Sequence, residues 1–584
     1  MEAEPVFEIL FPVKSPESRR CPRRQMVLEQ LENRLVPTGS IVPNEILVQF
    51  RDVSSATRAS ARASVRANLK ESIHTHQMQQ EGQGVLERLA LPAGLTVQIA
   101  MQRFSRLSSV VYAEPNYLLT SAAISNDPYY TTSSRLWGMY GNDSPSAVGP
   151  SGTTNTYGSQ AEKAWEAGFT GSRSVSVGIV DEGIDYTHPD LYQNAWLNQK
   201  EIPSSLRSGL VDTDSDGRIT IRDLNDAANA AWVTDSNSNG YIDAGDIQAD
   251  TRWNNGLDDD GNGYADDLFG WDFYNGDRTT FDAADGDAHG THVAGTIGGM
   301  GGNGIGVAGV NWQTNLISAK FLGPTGGYLS DAVKAIDYLT DLKIRDGVNI
   351  VASNNSWGGG SYSAALHSAI LRAAKANILF VAAAGNSTSN NDTTASYPSN
   401  YSTLQGTSTE PAAGYESVIA VAAINSAGNL SSFSSYGATT VDIGAPGEAV
   451  YSTVPGGYAS YSGTSMATPH VTGAVALYAA AYPSVTAGDI RSALLSGATP
   501  TASLNGKTAT GGRLDIASLM AKSPLPGISV GDVSITEGNS GAADLVFTVH
   551  LSSPATDTVT VGYSTADGTA AAPLDYTAMS GTLT

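Results

Sequence analysis

The sequence predicts an α/β protein with three layers and a mostly parallel central sheet, preceded by a small α+β unit and followed by a partial β-sandwich. The first observation concerns residues 126–522, where short apolar, β-branched runs such as VSVGIV and NILFVAAAG alternate with Ala-rich helical stretches. Buried parallel strands have this continuous apolar character, and the helices between them cover both faces of the sheet.

The two flanking regions supply the other observations. In residues 41–123, the strand-like ILVQF precedes an Ala/Arg helix predicted over 56–73, and a second helix at 101–107 precedes the strand VVYAEPNYLL at 110–119. Residues 527–584 alternate Thr, Val and Asp without a helical signal, which indicates the first strands of a β-sandwich that is cut short. Residues 1–40 are interrupted by Pro and Arg and are interpreted as a leader.

The amino-acid composition indicates which kinds of binding partner and metal site the protein can have. The 584 residues carry a net charge of −24, and residues 190–290 alone hold 21 acidic and 6 basic side chains. This balance repels nucleic acid and attracts divalent cations, so we expect no nucleic-acid partner. Because Cys21 is the only cysteine, the main body has neither a disulfide nor a cysteine zinc site. No apolar run reaches the roughly 18 residues of a membrane span.

The N-terminus lacks the basic-then-apolar layout of an ordinary secretory signal. However, LEQLENRLVP at 28–37 resembles the LExLExR element near the N-termini of many surface and secreted proteins of one bacterial phylum. A secreted or cell-surface location in a bacterium is therefore expected, and a plain amphipathic helix is the alternative reading.

The acidic span contains three similar loops, DTDSDG, DSNSNG and DDDGNG, spaced 23 residues apart. Oxygen-bearing side chains at alternate positions with Gly at the sixth are typical of calcium loops. The predicted ligands are, in the first loop, Asp212, Asp214, Asp216 and Asp223; in the second, Asp235, Asn237, Asn239, Asp243 and Asp246; and in the third, Asp258, Asp260, Asn262 and Asp266.

The first two loops, joined by the helical stretch IRDLNDAANAAW, resemble dockerin-type, EF-hand-like calcium repeats. The third departs from the pattern because its twelfth position is Phe269, so a different geometry or no ion is open there. Solvated acidic loops with Asx-turns are the alternative for all three. We predict Ca²⁺ as the cofactor and residues 198–270 as a calcium-loop insert.

Three segments carry candidate catalytic side chains. Asp181 ends the apolar strand in VSVGIVDEGIDYTHPDL, at the sheet edge where open α/β folds build sites. His289 opens HGTHVAGTIGG, in which His289 and His292 could alternatively bind a metal. Ser465 lies in SGTSMATPH between a Gly-rich turn and an apolar helix, where a simple N-cap is the alternative. Pro469 favours a helix that begins at or beside Ser465.

Together these motifs resemble the subtilisin-like serine proteases over residues 126–522, in the family's order Asp, His, Ser. AAAGN, ending at Asn386, resembles the segment that supplies the oxyanion-hole amide, and NSWGGG resembles the strand that pairs with substrate. The resemblance implies a subtilisin-like fold and a serine endopeptidase acting on proteins or peptides. It assigns catalysis to Asp181, His289, Ser465 and Asn386, and substrate binding to Ser356, Trp357 and Gly358.

The flanking regions also have family resemblances. Residues 41–123 resemble the inhibitory propeptide of this family, which implies a zymogen with its own propeptide as intramolecular inhibitor. Asn303 in GNGIGVAGV corresponds to a calcium-loop position of several relatives. Residues 527–584 resemble a Calx-beta domain, in which Glu537, Asp567 and Asp575 stand near calcium-ligating positions. A catalytically silent, calcium-dependent adhesion or scaffolding protein is the rival function, and the presence of all four catalytic residues argues against it.

Overall fold

A computed structural model resolves the chain into two compact units. One comprises residues 122–524, and the other comprises the flanking regions 1–121 and 525–584. The structure describes residues 6–13, 41–73, 84–92, 95–117, 125–131, 135–141, 156–522, 528–534, 543–551 and 559–583. Most of the predicted leader, including the LEQLENRLVP segment, therefore lies outside the described residues.

The N-terminal flanking region is a four-stranded antiparallel sheet with two helices on one face. Its strand order is β3-β4-β2-β5, and the helices share one hydrophobic core with the sheet. The elements, after a separate strand β1 (Val6–Val13), are β2 (Ile41–Phe50), α1 (Ser55–Val65), β3 (Asn68–Ile73), β4 (Val85–Ala90), α2 (Val97–Ser105) and β5 (Val110–Tyr117).

The helix predicted over 56–73 is wrong in its second half. Arg66 has a left-handed backbone with φ 60° and ends α1, after which β3 pairs antiparallel with β4. The helix-forming composition of this stretch is a weak local preference, and the hydrogen bonds of the sheet edge override it.

The larger unit is built on a nine-stranded sheet of order β15-β16-β12-β11-β10-β9-β6-β8-β7. Every described strand pair in it is parallel except β15 with β16. Its strands are β6 (Gly171–Asp181), β7 (Gly270–Asp272), β8 (Gln313–Lys320), β9 (Ile350–Asn355), β10 (Leu379–Ala383), β11 (Val418–Ile424), β12 (Ile443–Pro446), β15 (Thr499–Pro500) and β16 (Gly512–Arg513). A hairpin joins β13 (Val450–Val454) to β14 (Gly457–Tyr461).

Helices cover both faces of this sheet, which confirms the three-layer α/β prediction. One hydrophobic cluster packs α8 (Ala288–Gly298) and α11 (Thr464–Ala481) against β6. A second cluster packs α9 (Leu329–Asp346) and α10 (Ala364–Lys375) against the opposite face. The helices of this unit are α3 (Pro128–Thr131), α4 (Ala161–Glu166), α5 (Ser204–Arg207), α6 (Ile221–Leu224), α7 (Ala244–Ala249), α8 (Ala288–Gly298), α9 (Leu329–Asp346), α10 (Ala364–Lys375), α11 (Thr464–Ala481), α12 (Ala487–Ser496) and α13 (Ile516–Met520), with 3₁₀ turns at Trp137–Met139, Tyr192–Asn194, Ala227–Asn229 and Ala502–Leu504.

The acidic insert has a small hydrophobic core of its own, formed around Ile221, Ile247 and Trp253. The single helix expected for IRDLNDAANAAW is instead two short pieces, α6 and the 3₁₀ turn at Ala227–Asn229. Asn225 separates them because its side-chain amide donates to the carbonyls of both Ile221 and Ile242. Its side chain thereby ties the linker to the second acidic loop.

The C-terminal region contains short antiparallel strands: β17 (Ile528–Val530), β18 (Ala543–Leu551), β19 (Val561–Ser564) and β20 (Ser580–Leu583). Strand β18 lies between β1 and β17, and β19 pairs with β20. Asp567 and Asp575 accept backbone hydrogen bonds from Ala572 and Ala571, and Glu537 lies outside the described residues. Within the described parts of the chain, no helix is long and apolar enough to cross a membrane.

Candidate active site

Asp181 and His289 meet at the carboxyl edge of the large sheet. Asp181 is the buried last residue of β6, and its Oδ1 lies 2.7 Å from Nδ1 of His289 in the first turn of α8. Burial lowers the pKa of His289, but the charge and hydrogen bond of Asp181, with a contribution from Glu182, outweigh burial and raise it above its ordinary value. A carboxylate on Nδ1 fixes the tautomer in which Nε2 accepts a proton.

His292 does not join His289 in a metal site. Its Nε2 lies 3.1 Å from the Val450 carbonyl and 3.2 Å from the Ala459 carbonyl, and its ring stacks on Tyr461. Burial lowers the pKa of His292 to about 3, so it is neutral. The geometry therefore favours a packing role for His292 over the metal alternative.

Ser465 lies in the first turn of α11, which packs against α8. The helix begins at Thr464, as predicted from Pro469. The Ser465 hydroxyl donates to the carbonyl of Ser356 at 3.0 Å, which is a resting orientation for this side chain. Catalytic hydrogen bonds often form only when substrate is bound, so this contact is compatible with a nucleophilic role for Ser465.

Pro469 and Ser356 have a joint role at this helix start. Proline has no backbone N–H, so the Ser465 carbonyl, four residues earlier, loses its helical donor. The Ser356 hydroxyl replaces that donor at 2.9 Å. Asn354 in turn donates to the Ser356 hydroxyl, and Thr472 of the same helix donates to Asn354. The end of β9 and the start of α11 are thus joined by a chain of hydrogen bonds.

Asn386 is exposed beside Ser465 with its amide oxygen fixed. The oxygen accepts from the Thr464 backbone N–H at 2.8 Å and from the Thr464 hydroxyl at 2.9 Å. Because the oxygen is held on this side, the amide nitrogen is directed to the other. A pre-oriented side-chain donor next to a serine hydroxyl is the arrangement that stabilises an oxyanion.

The predicted substrate strand follows β9. Ser356 is buried, Trp357 is half-buried with its ring 5.0 Å from Phe321, and Gly358 is exposed. The neighbouring Gly359 N–H donates to the Tyr397 carbonyl at 3.0 Å, and this hydrogen bond fixes the position of the segment after Gly358. The exposed backbone at Gly358 is suited to pairing with an extended peptide.

A buried lysine lies next to Asp181 on the adjacent strand. Lys320 is paired with Asp181 in the β6–β8 register, and its Nζ contacts Asp285 at 2.8 Å, Asp287 at 2.9 Å and Asp272 at 3.4 Å. Burial lowers the pKa of Lys320, but the three carboxylates outweigh burial and raise it. One cation therefore balances several carboxylates directly beside Asp181 at the carboxyl edge of the sheet.

The first acidic loop brings three of its predicted ligands together. Oxygens of Asp212, Asp214 and Asp216 lie within 4.8 Å of one another. The fourth, Asp223, instead receives hydrogen bonds from the backbone N–H groups and hydroxyls of Thr213 and Thr220.

In the second loop, side-chain amides of the loop itself donate hydrogen bonds to one of its carboxylates. The side chains of Asn237 and Asn239 both donate to Asp243, at 3.1 and 2.7 Å. Asp235 accepts from the Gly240 N–H, and Asp246 accepts from the Ser236 N–H and hydroxyl. These five predicted ligands are therefore neighbours, with fewer carboxylates facing one another than in the first loop.

The third loop gathers a carboxylate set that the spacing did not predict. Asp260 lies with Glu201 and Asp267, and their oxygens are within 4.8 Å of one another. Asn262 donates to both Asp260 and Asp267, whereas Asp258 accepts from the backbone of Gly261 and Gly263. Asp266 turns away and accepts from the backbone of Asn255 and Gly256. The third loop, which departs from the spacing pattern at Phe269, thus forms its carboxylate cluster with Glu201 and Asp267, two residues that the spacing does not predict.

A further buried carboxylate pair lies at the loop 302–307. Asp190 accepts from the Asn303 amide at 2.8 Å and from the Val307 N–H at 2.8 Å. Asp127 accepts from the N–H groups of Gly302 and Gly304. Burial raises the pKa of Asp190 to about 7 and raises that of Asp127. Buried carboxylates that are costly to ionise fit a cation site. The sequence indicates Asn303 at this site but does not predict its two carboxylate neighbours.

The three-layer fold carries an aspartate–histidine pair, Asp181 and His289, at the carboxyl edge of a mostly parallel sheet, which places the protein in the α/β class. The subtilase family model matches residues 172–514, more than half of the chain. The fervidolysin N-terminal prodomain model matches residues 32–116, and the Calx-beta domain model matches residues 524–584. The chain belongs to the subtilase family, whose members are serine endopeptidases, and it carries a prodomain.

Two relatives and one solved structure illustrate the similarity. Subtilisin DY of Bacillus licheniformis is 43% identical over 218 residues, which are 37% of this chain and 72% of that protein. A thermophilic serine proteinase of Bacillus sp. strain AK1 is 29% identical over 444 residues, which are 76% of this chain and 79% of that protein. A structure of a protease from Pseudoalteromonas arctica aligns with 68% of this chain and 99% of its own, at 26% identity and a TM-score of 0.44.

Proposed function

We propose that the protein hydrolyses peptide bonds through Asp181, His289 and Ser465, with Asn386 in the oxyanion hole. The observation that carries the proposal is the 2.7 Å contact between Asp181 and His289 Nδ1. His289 takes the proton of the Ser465 hydroxyl as it attacks the carbonyl and then delivers it to the leaving amine. Asp181 stabilises the imidazolium, and the Asn386 amide and the Ser465 backbone N–H bind the negative oxygen.

Substrate enters this proposal as an extended strand. Ser356, Trp357 and Gly358 would pair with its backbone through their own main chain, because the segment runs from the buried Ser356, which contacts Ser465, to the exposed Gly358. The partners proposed are therefore proteins and peptides that can present an extended segment.

Replacement of Asn386 by Leu tests the oxyanion assignment. It removes the amide donor while leaving a side chain of similar size, so kcat is expected to fall about 10²–10³-fold with KM little changed, the magnitude measured for one such donor in a subtilisin. Steady-state kinetics on a peptide amide measure the two constants. Asn429→Leu at an exposed site of the same domain is the control, and an Asn386 variant that changes only KM would contradict the role.

The precursor form is also part of the proposal. Residues 41–123 would act as an intramolecular inhibitor and be removed by cleavage between about 118 and 126, where most of the chain lies outside the described residues. The matching prodomain at residues 32–116 supports this division. We propose residues 126–522 as the catalytic domain, 198–270 as its calcium-loop insert and 527–584 as a Calx-beta-like region.

We propose that Ca²⁺ stabilises the insert. Clustered carboxylates repel one another, and a divalent cation with oxygen ligands relieves that repulsion. The first loop would hold an ion through Asp212, Asp214 and Asp216, and the third through Asp260, Asp267 and Glu201. The second loop, with its dockerin-like spacing, would use Asp235, Asp243 and Asp246 after its two amides turn their oxygens inward. When bound, the ion supplies charge compensation and rigidity.

Metal removal should make stability depend on pH through Glu201. Burial raises the pKa of Glu201 from about 4.5 to about 7, against hydrogen bonds from the backbone of residues 259, 260 and 266. A carboxyl group whose folded pKa is raised favours the folded state below its unfolded pKa, and that stability is lost as pH rises through the folded pKa. With EDTA, the free energy of unfolding should therefore fall between about pH 4.5 and pH 7, by about 3 kcal/mol from this group.

Thermal unfolding of the Ser465→Ala protein, which cannot digest itself, measures this effect. Calcium should restore stability at pH 7, and Glu201→Gln should remove both much of the pH dependence and much of the calcium response. Asp259→Asn, an exposed charge of the same loop outside the carboxylate set, is the control. Equal calcium responses in the Glu201 variant and the parent protein would show that this cluster holds no ion.

We further propose secretion or attachment at the bacterial cell surface, on the LEQLENRLVP element and on the calcium loops, which suit a calcium-rich exterior. The rival function, a silent calcium-dependent adhesion protein, is disfavoured because all four proposed catalytic residues are present. In addition, Asp181 contacts His289, and Asn386 contacts Thr464, the residue before Ser465.

A further inference from the structure

The residue that follows Asp181 is itself a carboxylate, and it reaches the helix that carries His289. The Glu182 Oε2 atom accepts a hydrogen bond from the backbone N–H of His289 at 2.8 Å. Glu182 is half-buried, and burial raises its pKa against the hydrogen bond from His289. The N–H groups in the first turn of a helix have no partner within the helix, and the helix dipole is positive at this end. A carboxylate there accepts a hydrogen bond from one of these N–H groups and interacts favourably with the dipole.

Asp287, the N-cap residue of α8, does not cap this helix with its side chain. Its Oδ2 instead accepts from Lys320 Nζ at 2.9 Å and from the Asp282 N–H at 2.7 Å. An N-cap Asp ordinarily accepts a hydrogen bond from a backbone N–H of its own helix. Because Asp287 is bonded to Lys320 instead, the His289 N–H is free to donate to Glu182. The cap of α8 is therefore supplied by another element.

Close backbone packing couples the two segments. A Cβ atom added at Gly290 would lie 2.7 Å from the Glu182 carbonyl oxygen and 2.6 Å from that of Gly183. A Cβ atom at Gly183 would lie 2.2 Å from Asp287 Oδ2. A Cβ atom would clash at both positions, so the close approach of the segment 182–183 to the first turn of α8 requires glycine at 183 and 290.

The charges around the His289 ring come from three elements. Asp181 and Glu182 lie at the end of β6 and raise the pKa of the ring, whereas Asp287, which precedes α8, acts on Glu182. His292 lies one turn further along α8, and burial lowers its pKa. Lys320, on β8, is engaged with Asp272, Asp285 and Asp287. Removal of the Glu182 charge therefore takes away one of the two carboxylates that act on the ring.

We propose that Glu182 is a positioning residue, which caps the helix that carries His289 and adds negative charge beside its imidazolium. The inference rests on the proposed function, since it takes His289 as the general base. It assigns Glu182 two separable effects: the hydrogen bond fixes the position of His289, and the charge sets the pH at which His289 loses its proton.

Two substitutions separate these effects. Glu182→Gln keeps an acceptor for the His289 N–H and removes the charge, so the acid limb of kcat/KM should move to lower pH by about half a unit while kcat at the plateau stays within about 3-fold. Glu182→Ala removes both, so it should show the same shift and lose about 10-fold in kcat with KM unchanged. Glu166→Gln, which removes a charge from an ion pair with Lys163, should leave the acid limb in place.

The outcomes are distinguishable. If the parent enzyme cleaves peptides and both Glu182 variants retain its acid limb and its kcat, the inference is overturned and the proposed function stands. If the parent protein shows no serine-dependent hydrolysis, both fall. If Glu182→Ala does not fold, Glu182→Gln alone decides, because it retains the capping hydrogen bond and the predicted shift concerns only the charge.

Discussion

The Ser465→Ala protein is expected to fold normally and to hydrolyse peptides about a million-fold more slowly than the parent, the magnitude measured for the corresponding subtilisin variant. The alanine side chain cannot attack a carbonyl, and His289 has no proton to remove. The same change should stop removal of the propeptide. The purified chain should therefore keep its N-terminal region, whereas the parent should yield a mature N-terminus between residues 118 and 126.

The control is Ser460→Ala, at an exposed position of β14 five residues earlier in the chain. It makes the same chemical change and should leave both maturation and kcat as in the parent. Initial rates on a peptide amide, intact mass and N-terminal sequencing measure the three results. A Ser465→Ala protein that matures by itself and cleaves casein would refute the assignment of the nucleophile.

Replacement of Lys320 by Met should cause the largest loss of stability. The side chain is fully buried, and its ammonium group faces Asp272, Asp285 and Asp287. Methionine has similar length but no charge, so Asp272 and Asp287 would be left buried without a cation. Breaking a buried ion pair from one side typically costs 3–5 kcal/mol. We expect a loss of about that size in the free energy of unfolding, measured by urea denaturation in the Ser465→Ala background.

Lys334→Met is the matched control. Lys334 lies 53% exposed on α9 and pairs with Asp331 at 2.7 Å, a surface contact worth roughly 0.2–1 kcal/mol. Adding Asp287→Asn to Lys320→Met should recover part of the loss, because it removes one of the uncompensated charges. Equal effects of the two lysine substitutions would contradict the account of the buried network.

The sheet and the positions of the catalytic candidates could be predicted because they depend on local patterns. Continuous apolar runs predict buried strands, and such a strand places Asp181 at the carboxyl edge whatever surrounds it. The prediction of a helix over 56–73 was wrong in its second half because Arg66 adopts a left-handed conformation and the residues after it pair with β4. The sequence pattern does not reveal this pairing, because it depends on the tertiary fold.

Side chains that act across elements could not be predicted in the same way. Glu201 lies outside the spacing of the third loop and meets Asp260 only through folding. Glu182 is adjacent to Asp181 in sequence, but its role depends on Lys320 drawing Asp287 away from the helix end. Asp190 and Asp127 likewise converge on the loop of Asn303 from distant parts of the chain.

The central claim is that Ser465 is activated by His289 and Asp181. Its most direct test is to treat the mature protein with a fluorophosphonate in the presence of calcium and to locate the adduct by peptide mass spectrometry. We expect one adduct, on Ser465, which is lost in His289→Ala and accompanies complete loss of peptide hydrolysis. An active protein that stays unlabelled, or one labelled at another serine in step with its inactivation, would contradict the account.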